Sequence, residues 1–202
     1  MENKPFLYFD LGGVLFDFQG GIEEIAKITG SSFATCHSTW REFDDQICRG
    51  EMTGQQLWTI YSQRTNYSGP DILFNQFWVE HFRPNNQMHE FLVETAYKYP
   101  VGLLTNIYPD VYPLAISHGK IPNVNFRAVI QSCEIGSVKP ESEIYRVAEI
   151  QARTNPDRIL LIDDSEKNIS TAIARGWHGI FFDRNSIHNS IMHSREILEG
   201  LF

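Results

Sequence analysis

Asp163 and Asp164 stand side by side at the end of the apolar run Ile159-Leu160-Leu161-Ile162, and Asp10 closes a second such run, Phe6-Leu7-Tyr8-Phe9. A carboxylate at the mouth of a buried strand is costly unless a cation or hydrogen-bond donors compensate it. If the two strands are neighbours in a parallel sheet, these carboxylates come within reach of one hard divalent ion. Two further polar groups follow apolar runs in the same way. Thr105-Asn106 comes after Val101-Gly102-Leu103-Leu104, and Lys139, within Gly136-Ser137-Val138-Lys139-Pro140, comes after Ala128-Val129-Ile130. A carboxylate nucleophile, a hydroxyl, an amide, an ammonium and metal-binding carboxylates form the inventory for moving a phosphoryl group. That chemistry consists mainly of positioning and of neutralising charge on oxygen. The inventory points to a metal-dependent enzyme rather than a binding module.

For these residues to meet, the strands that carry them must lie side by side. Strand character at residues 6–11 and 14–16 is interrupted by Gly12-Gly13, which lets the backbone turn sharply and approach a ligand. Beyond Arg83-Pro84 the pattern alternates: helix over 86–98, strand over 101–104, helix near 109–118, strand over 128–130 and helix over 141–152. Strand 159–163, helix 165–175, strand 179–182 and a last helix around 187–199 complete it. Such alternation predicts an α/β fold, a three-layer Rossmann-like core whose parallel sheet is covered on both faces.

Residues 19–83 depart from that pattern. Helical spacing places Ile22, Ile25 and Ile28 on one face, then Trp40, Phe43 and Ile47, then Leu57, Ile60 and Tyr61, with no convincing strand. Gly30, Gly50-Glu51-Met52-Thr53 and Tyr67-Ser68-Gly69-Pro70 supply the breaks, with Thr53 as an N-cap. The expected organisation is a core of residues 1–18 and 84–202 with an inserted α-helical cap, 19–83. The cap aromatics Trp40, Phe43, Trp58, Tyr61, Phe74, Phe77 and Trp78 read mostly as helix-packing core, with one or two expected to line a pocket and stack on a sugar ring.

Composition narrows the partners. A formal net charge of −8 argues against nonspecific binding of nucleic acid or anionic membranes, which needs basic patches. No apolar stretch approaches the ~20 residues that span a bilayer. Cys36, Cys48 and Cys133 form neither a CxxC pair nor a disulfide framework and read as small core residues in a reducing cytoplasm. The seven histidines show no metal-ligand spacing. Met1-Glu2-Asn3-Lys4-Pro5 leads into the first strand without a basic-then-apolar leader, so the expectation is a cytoplasmic protein, monomer or homodimer.

Phe9-Asp10-Leu11-Gly12-Gly13-Val14-Leu15-Phe16-Asp17, Leu104-Thr105-Asn106, Val138-Lys139-Pro140-Glu141 and Ile162-Asp163-Asp164-Ser165 resemble, in order and context, the four motifs of the haloacid-dehalogenase superfamily. The resemblance covers essentially the whole chain. Within the family it is strongest to the helical-cap branch of the bacterial α-D-glucose-1-phosphate phosphatase and the phosphatase domain of epoxide hydrolases. It implies a Mg²⁺-dependent phosphatase for a small phosphorylated metabolite, a sugar phosphate being favoured.

By the same resemblance Asp10 is the nucleophile that forms an aspartyl-phosphate. Thr105, Asn106, Lys139 and the Gly12-Gly13 turn hold the phosphate. Asp10, the Gly12 carbonyl and Asp164 hold the metal, and Asp163 orients a metal-bound water or Lys139. The Lys139-Pro140 bond is a candidate for the cis form, which would aim the lysine.

One departure stands out. The family's usual acid–base aspartate, two residues after the nucleophile, is Gly12 here, as it is in the glucose-1-phosphate phosphatase branch. Asp17 and Glu51 are the nearest candidates to replace it. The departure keeps open a weakly catalytic phosphometabolite-binding or regulatory protein. A 2-haloacid dehalogenase is the remaining alternative, though the Asp163-Asp164 pair would have no task there.

Overall fold

The computed structural model describes residues 4–201; the opening Met1-Glu2-Asn3 lies outside the described residues. β1 (Phe6–Phe9) leads into β2 (Phe16–Asp17), and four helices follow: α1 (Gln19–Thr29), α2 (Phe33–Cys48), α3 (Gly54–Thr65) and α4 (Phe74–Glu80). The chain returns through β3 (Arg83–Pro84) to α5 (Asn86–Lys98), β4 (Val101–Thr105), α6 (Val111–Ser117), β5 (Ala128–Gln131) and the short α7 (Ser132–Ile135). α8 (Ser142–Ala152), β6 (Ile159–Asp163), α9 (Glu166–Ala174), β7 (His178–Phe181) and α10 (Ile187–Leu201) complete it.

Five strands form one sheet in the order β5-β4-β1-β6-β7, every pairing parallel. All residues of β1, β4 and β6 are buried, which explains their near-continuous apolar composition: a parallel strand covered on both faces cannot alternate. Helices pack on both faces, and two apolar clusters fill the layers. One joins Leu7, Phe9 and Leu160 to the inserted helices; the other joins Phe6, Tyr8 and Leu161 to α8 and α9. This is the three-layer α/β architecture expected from the sequence.

The four helices between β2 and β3 follow their local signals. Gly30 ends α1 in the left-handed conformation. Thr53 caps α3 in a reciprocal pair with Gln56. One feature differs from expectation. Arg83, read as the end of a strand-free stretch, forms with Pro84 a two-residue strand antiparallel to Phe16–Asp17, so a narrow ribbon joins the helices to the sheet. An exposed Arg-Pro pair has no strand propensity of its own; the ribbon exists because Phe16 and Phe82 stack at 4.6 Å beside it. Among the described residues no helix is long and apolar enough to cross a membrane.

Candidate active site

Asp10 follows directly on β1, Thr105 ends β4 and Asp163 ends β6. β1 lies between β4 and β6, with Phe9 paired to both Leu103 and Ile162, so the three residues emerge together at one edge of the sheet. This is the carboxyl edge, and β1 sits where successive connections run outward in opposite directions, the usual ligand position in such sheets.

Lys139 reaches into that edge from the loop after α7. Its ammonium lies 2.9 Å from Asp10 Oδ1 and 2.6 Å from Asp163 Oδ2, and its side chain is only 1% exposed. Burial alone would pull the ammonium's pKa down, but the two carboxylates outweigh it and keep the lysine charged. The loop itself is clamped. Asn106 accepts from the Lys139 backbone N–H at 2.7 Å and donates to the Lys139 carbonyl at 3.0 Å. Asn106, whose backbone or side chain the resemblance puts beside the phosphate, uses its side-chain amide to position the lysine. The Lys139-Pro140 bond is cis.

Asp163 is fully buried and saturated. It accepts from the Ser165 backbone N–H and the Asn168 amide as well as from Lys139. Ser165, not either aspartate, caps α9. Asp164 is less enclosed and pairs at 3.0 Å with Arg184, a residue that no pattern in the sequence marks out. Carboxylate oxygens of Asp10, Asp163 and Asp164 all lie within 4.8 Å of one another. Burial raises the pKa of Asp10, and the neighbouring Asp163 and Asp164 raise it further against the opposing pull of Lys139. Burial likewise raises Asp164. Crowded, desolvated carboxylates of this kind are relieved by a hard cation, and an all-oxygen donor set suits one.

The glycine turn is shaped by the same residues. Gly13 has φ +83°, and a Cβ there would collide with Asp164 Oδ2. At Gly12 a Cβ would sit 3.3 Å from Phe18 Cδ1, so an aromatic ring occupies the space beside the position where an acid–base aspartate is absent.

Asp10, Gly12, Thr105 and Asn106 line one end of a cavity of about 170 Å³. The inserted helices and the loop after β4 supply the rest, including Trp40, Asp44, Trp78 and Tyr108. Asp44 and Tyr108 escaped the sequence reading. Their hydroxyl–carboxylate bond is 2.9 Å, and burial raises the pKa of Asp44. A signal existed: Trp40, Asp44 and Cys48 recur every four residues on α2, which puts one carboxylate within an apolar stripe. The two expected replacements for the missing acid lie elsewhere. Asp17 accepts from the Gln19 backbone N–H and lies 3.6 Å from Arg83, and Glu51 is exposed; neither lines this cavity.

The fold recurs in solved structures. An enzyme of the haloacid-dehalogenase family from Bacteroides thetaiotaomicron, solved with magnesium and inorganic phosphate, superimposes with a TM-score of 0.72 at 23% identity over 90% of this chain and 96% of its own. A predicted hydrolase of that type from Porphyromonas gingivalis gives 0.73 at 21% identity, over 95% and 98% of the two chains. The fold is that of the haloacid-dehalogenase-like enzymes. The L-2-haloacid dehalogenase of Xanthobacter autotrophicus shares it at a TM-score of 0.68 and 18% identity, over 98% of this chain and 84% of its own. By sequence, the chain is 27% identical over 182 residues to the sesquiterpene phosphatase of Aspergillus oryzae, covering 85% of this chain and 86% of that one. No family model matches. In this haloacid-dehalogenase-like fold the four motif segments, spread along the chain from Phe9 to Ser165, meet at one sheet edge.

Proposed function

We propose that the chain is a Mg²⁺-dependent phosphatase that hydrolyses a small phosphomonoester through an aspartyl-phosphate on Asp10. The observation that carries the reading is Lys139 bridging Asp10 and Asp163, with Asp164 in the same cluster, at the ends of adjacent strands. Asp10, Asp164 and the Gly12 carbonyl would hold the ion, with Asp163 beside them. When bound, Mg²⁺ neutralises charge on the carboxylates and the phosphate oxygens.

The residues then divide the work. Asp10 forms a bond to phosphorus as the bond from phosphorus to the ester oxygen breaks, and the ester oxygen leaves as the alcohol by taking a proton from water. Water attacks the aspartyl-phosphate, loses its own proton, and frees Asp10 and inorganic phosphate. Lys139 places a fixed positive charge beside Asp10, where phosphate charge develops, and the Thr105 hydroxyl lies at the same end of the cavity. With glycine at position 12 no carboxylic acid stands ready for the leaving oxygen. General acid–base help is worth ~10²–10⁴-fold, so good leaving groups are favoured.

Residues 19–83 act as a cap that closes this end of the core, residues 1–18 and 84–202, against bulk water. The substrate is a small phosphorylated metabolite met in the cytoplasm, with sugar phosphates among those the resemblance implies. The similarity to a fungal sesquiterpene phosphatase supports phosphatase chemistry over carbon–halogen cleavage, in which Asp10 could still be the nucleophile but the Asp163-Asp164 pair has no task. The test is phosphate release from a panel of phosphomonoesters with Mg²⁺. Chelation and Asp10→Asn should each abolish release; release that survives either contradicts the proposal.

A further inference from the structure

Away from its phosphate end, the cavity changes character. Phe18 lies 5.2 Å from Trp40 and 6.1 Å from Trp78, ring centre to ring centre. Trp78 in turn lies 4.7 Å from Tyr108 and 5.2 Å from Phe82, which stacks on Phe16. These six rings all line the cavity and form one connected wall. Phe16, Trp78, Phe82 and Tyr108 are each no more than 5% exposed. Ile107 and Val111 extend the apolar lining.

Polar capacity on this wall is small. Asp44 is its one carboxylate, and Asp44 Oδ1 already accepts from the Tyr108 hydroxyl at 2.9 Å and lies 3.8 Å from the Cys48 thiol. Beyond that stand the indole N–H groups of Trp40 and Trp78. Together the second Asp44 oxygen and the two indole N–H groups can pair a few hydroxyls, not the full ring of hydroxyls of a hexose. Hydroxyls taken from water without partners weaken binding, whereas apolar area covered by aromatic rings strengthens it. The whole cavity, phosphate end included, measures about 170 Å³, close to the ~150 Å³ cavity known to hold benzene, so the apolar body is no larger than one ring or a short branched chain.

We infer that the phosphomonoester taken by this site carries a compact apolar body, a single carbocycle or short branched hydrocarbon with few hydroxyls, packed on the aromatic wall. The inference rests on the phosphatase reading and narrows it away from sugar phosphates. At Gly12 it also has a structural correlate, since Phe18 carries the hydrocarbon surface right up to the nucleophile's turn.

Cyclohexylmethyl phosphate and glucose 6-phosphate make a matched pair, both primary esters on a six-membered ring. With the full chain and Mg²⁺, kcat/KM should favour cyclohexylmethyl phosphate at least tenfold, mainly through KM, and Trp40→Ala should shrink that ratio. Equal or reversed preference overturns the inference while leaving phosphatase activity intact. If neither ester turns over, the phosphatase reading fails. Calorimetric binding of both esters to the Asp10→Asn variant then decides the inference alone: tighter binding of the cyclohexyl ester supports it, and equal or weaker binding overturns it.

Discussion

The two ends of the cavity are built on opposite principles. At the sheet edge the ionisable groups Asp10, Lys139 and Asp163 are buried, with Asp164 partly so, and hydrogen bonds from the backbone and from Asn106 and Asn168 fix them. Under the inserted helices the lining is a run of aromatic rings with a single carboxylate, contributed by α2, α4 and connecting loops. The first end is costly to assemble, because each buried charge must find its partner, and therefore tolerates little change. The second gains by burying area and can be repacked ring by ring. On the proposed reading the sheet edge sets the reaction and the aromatic wall sets the substrate, although Phe16, Phe18 and Tyr108 of that wall come from the same segments that carry Asp10 and Thr105.

The sharpest way to break the charged end is to remove its cation. Lys139→Met leaves Asp10 and Asp163 facing each other, buried and unpaired. Phosphate release should fall about 10³-fold, the scale of losing a preorganised donor. Urea unfolding should show a loss of about 3–5 kcal/mol, the usual cost of deleting one partner of a buried pair. An unchanged unfolding midpoint would mean that the lysine is not the linchpin its distances indicate.

Gly13→Ala tests the turn rather than the charge. It combines a left-handed φ with a side chain directed at Asp164, so Mg²⁺ affinity should fall about 10–100-fold, as for other perturbations that misplace a metal ligand. A Mg²⁺ titration of activity measures it.

The seam between the two regions gives the smallest effect. Arg49, just after α2, forks onto Glu141 at 2.5 and 3.0 Å, and Glu141 also accepts from the Ser137 hydroxyl two residues before Lys139. These partners, Arg49 first, hold the Glu141 carboxyl down at about 2. A carboxyl whose folded pKa lies below its unfolded value of ~4.3 adds stability above that value and loses it as pH falls through the folded pKa. Both side chains are partly exposed, so solvent limits the gain to about 1 kcal/mol or less. The melting-temperature gap between the native chain and Glu141→Gln should therefore close as pH drops from about 5 towards 2, and a constant gap would refute the linkage.

The difference between the two ends also explains what the sequence could tell. Strands such as Ile159–Asp163 were legible because a doubly covered parallel strand must be apolar throughout. Asp10 and Asp163 were legible because charge beside such runs is conspicuous, whereas Lys139 stood out only through its motif context. The aromatic wall was only half legible. Trp40 and Trp78 carry the same helical spacing as Trp58, Tyr61 and Phe74, yet the first two face the cavity and the last three pack inside the helices. Spacing reports that a side is buried, not whether the neighbour is protein or ligand. Arg184 and the Arg83–Pro84 ribbon were invisible for a related reason: their roles come from partners far along the chain.

The measurement that bears most directly on the phosphoryl-transfer account is the site of covalent attachment during turnover. Protein quenched in acid while hydrolysing an ester, then digested and weighed peptide by peptide, should carry one phosphoryl group on Asp10. An adduct on any other residue, or steady turnover by Asp10→Asn, would contradict it.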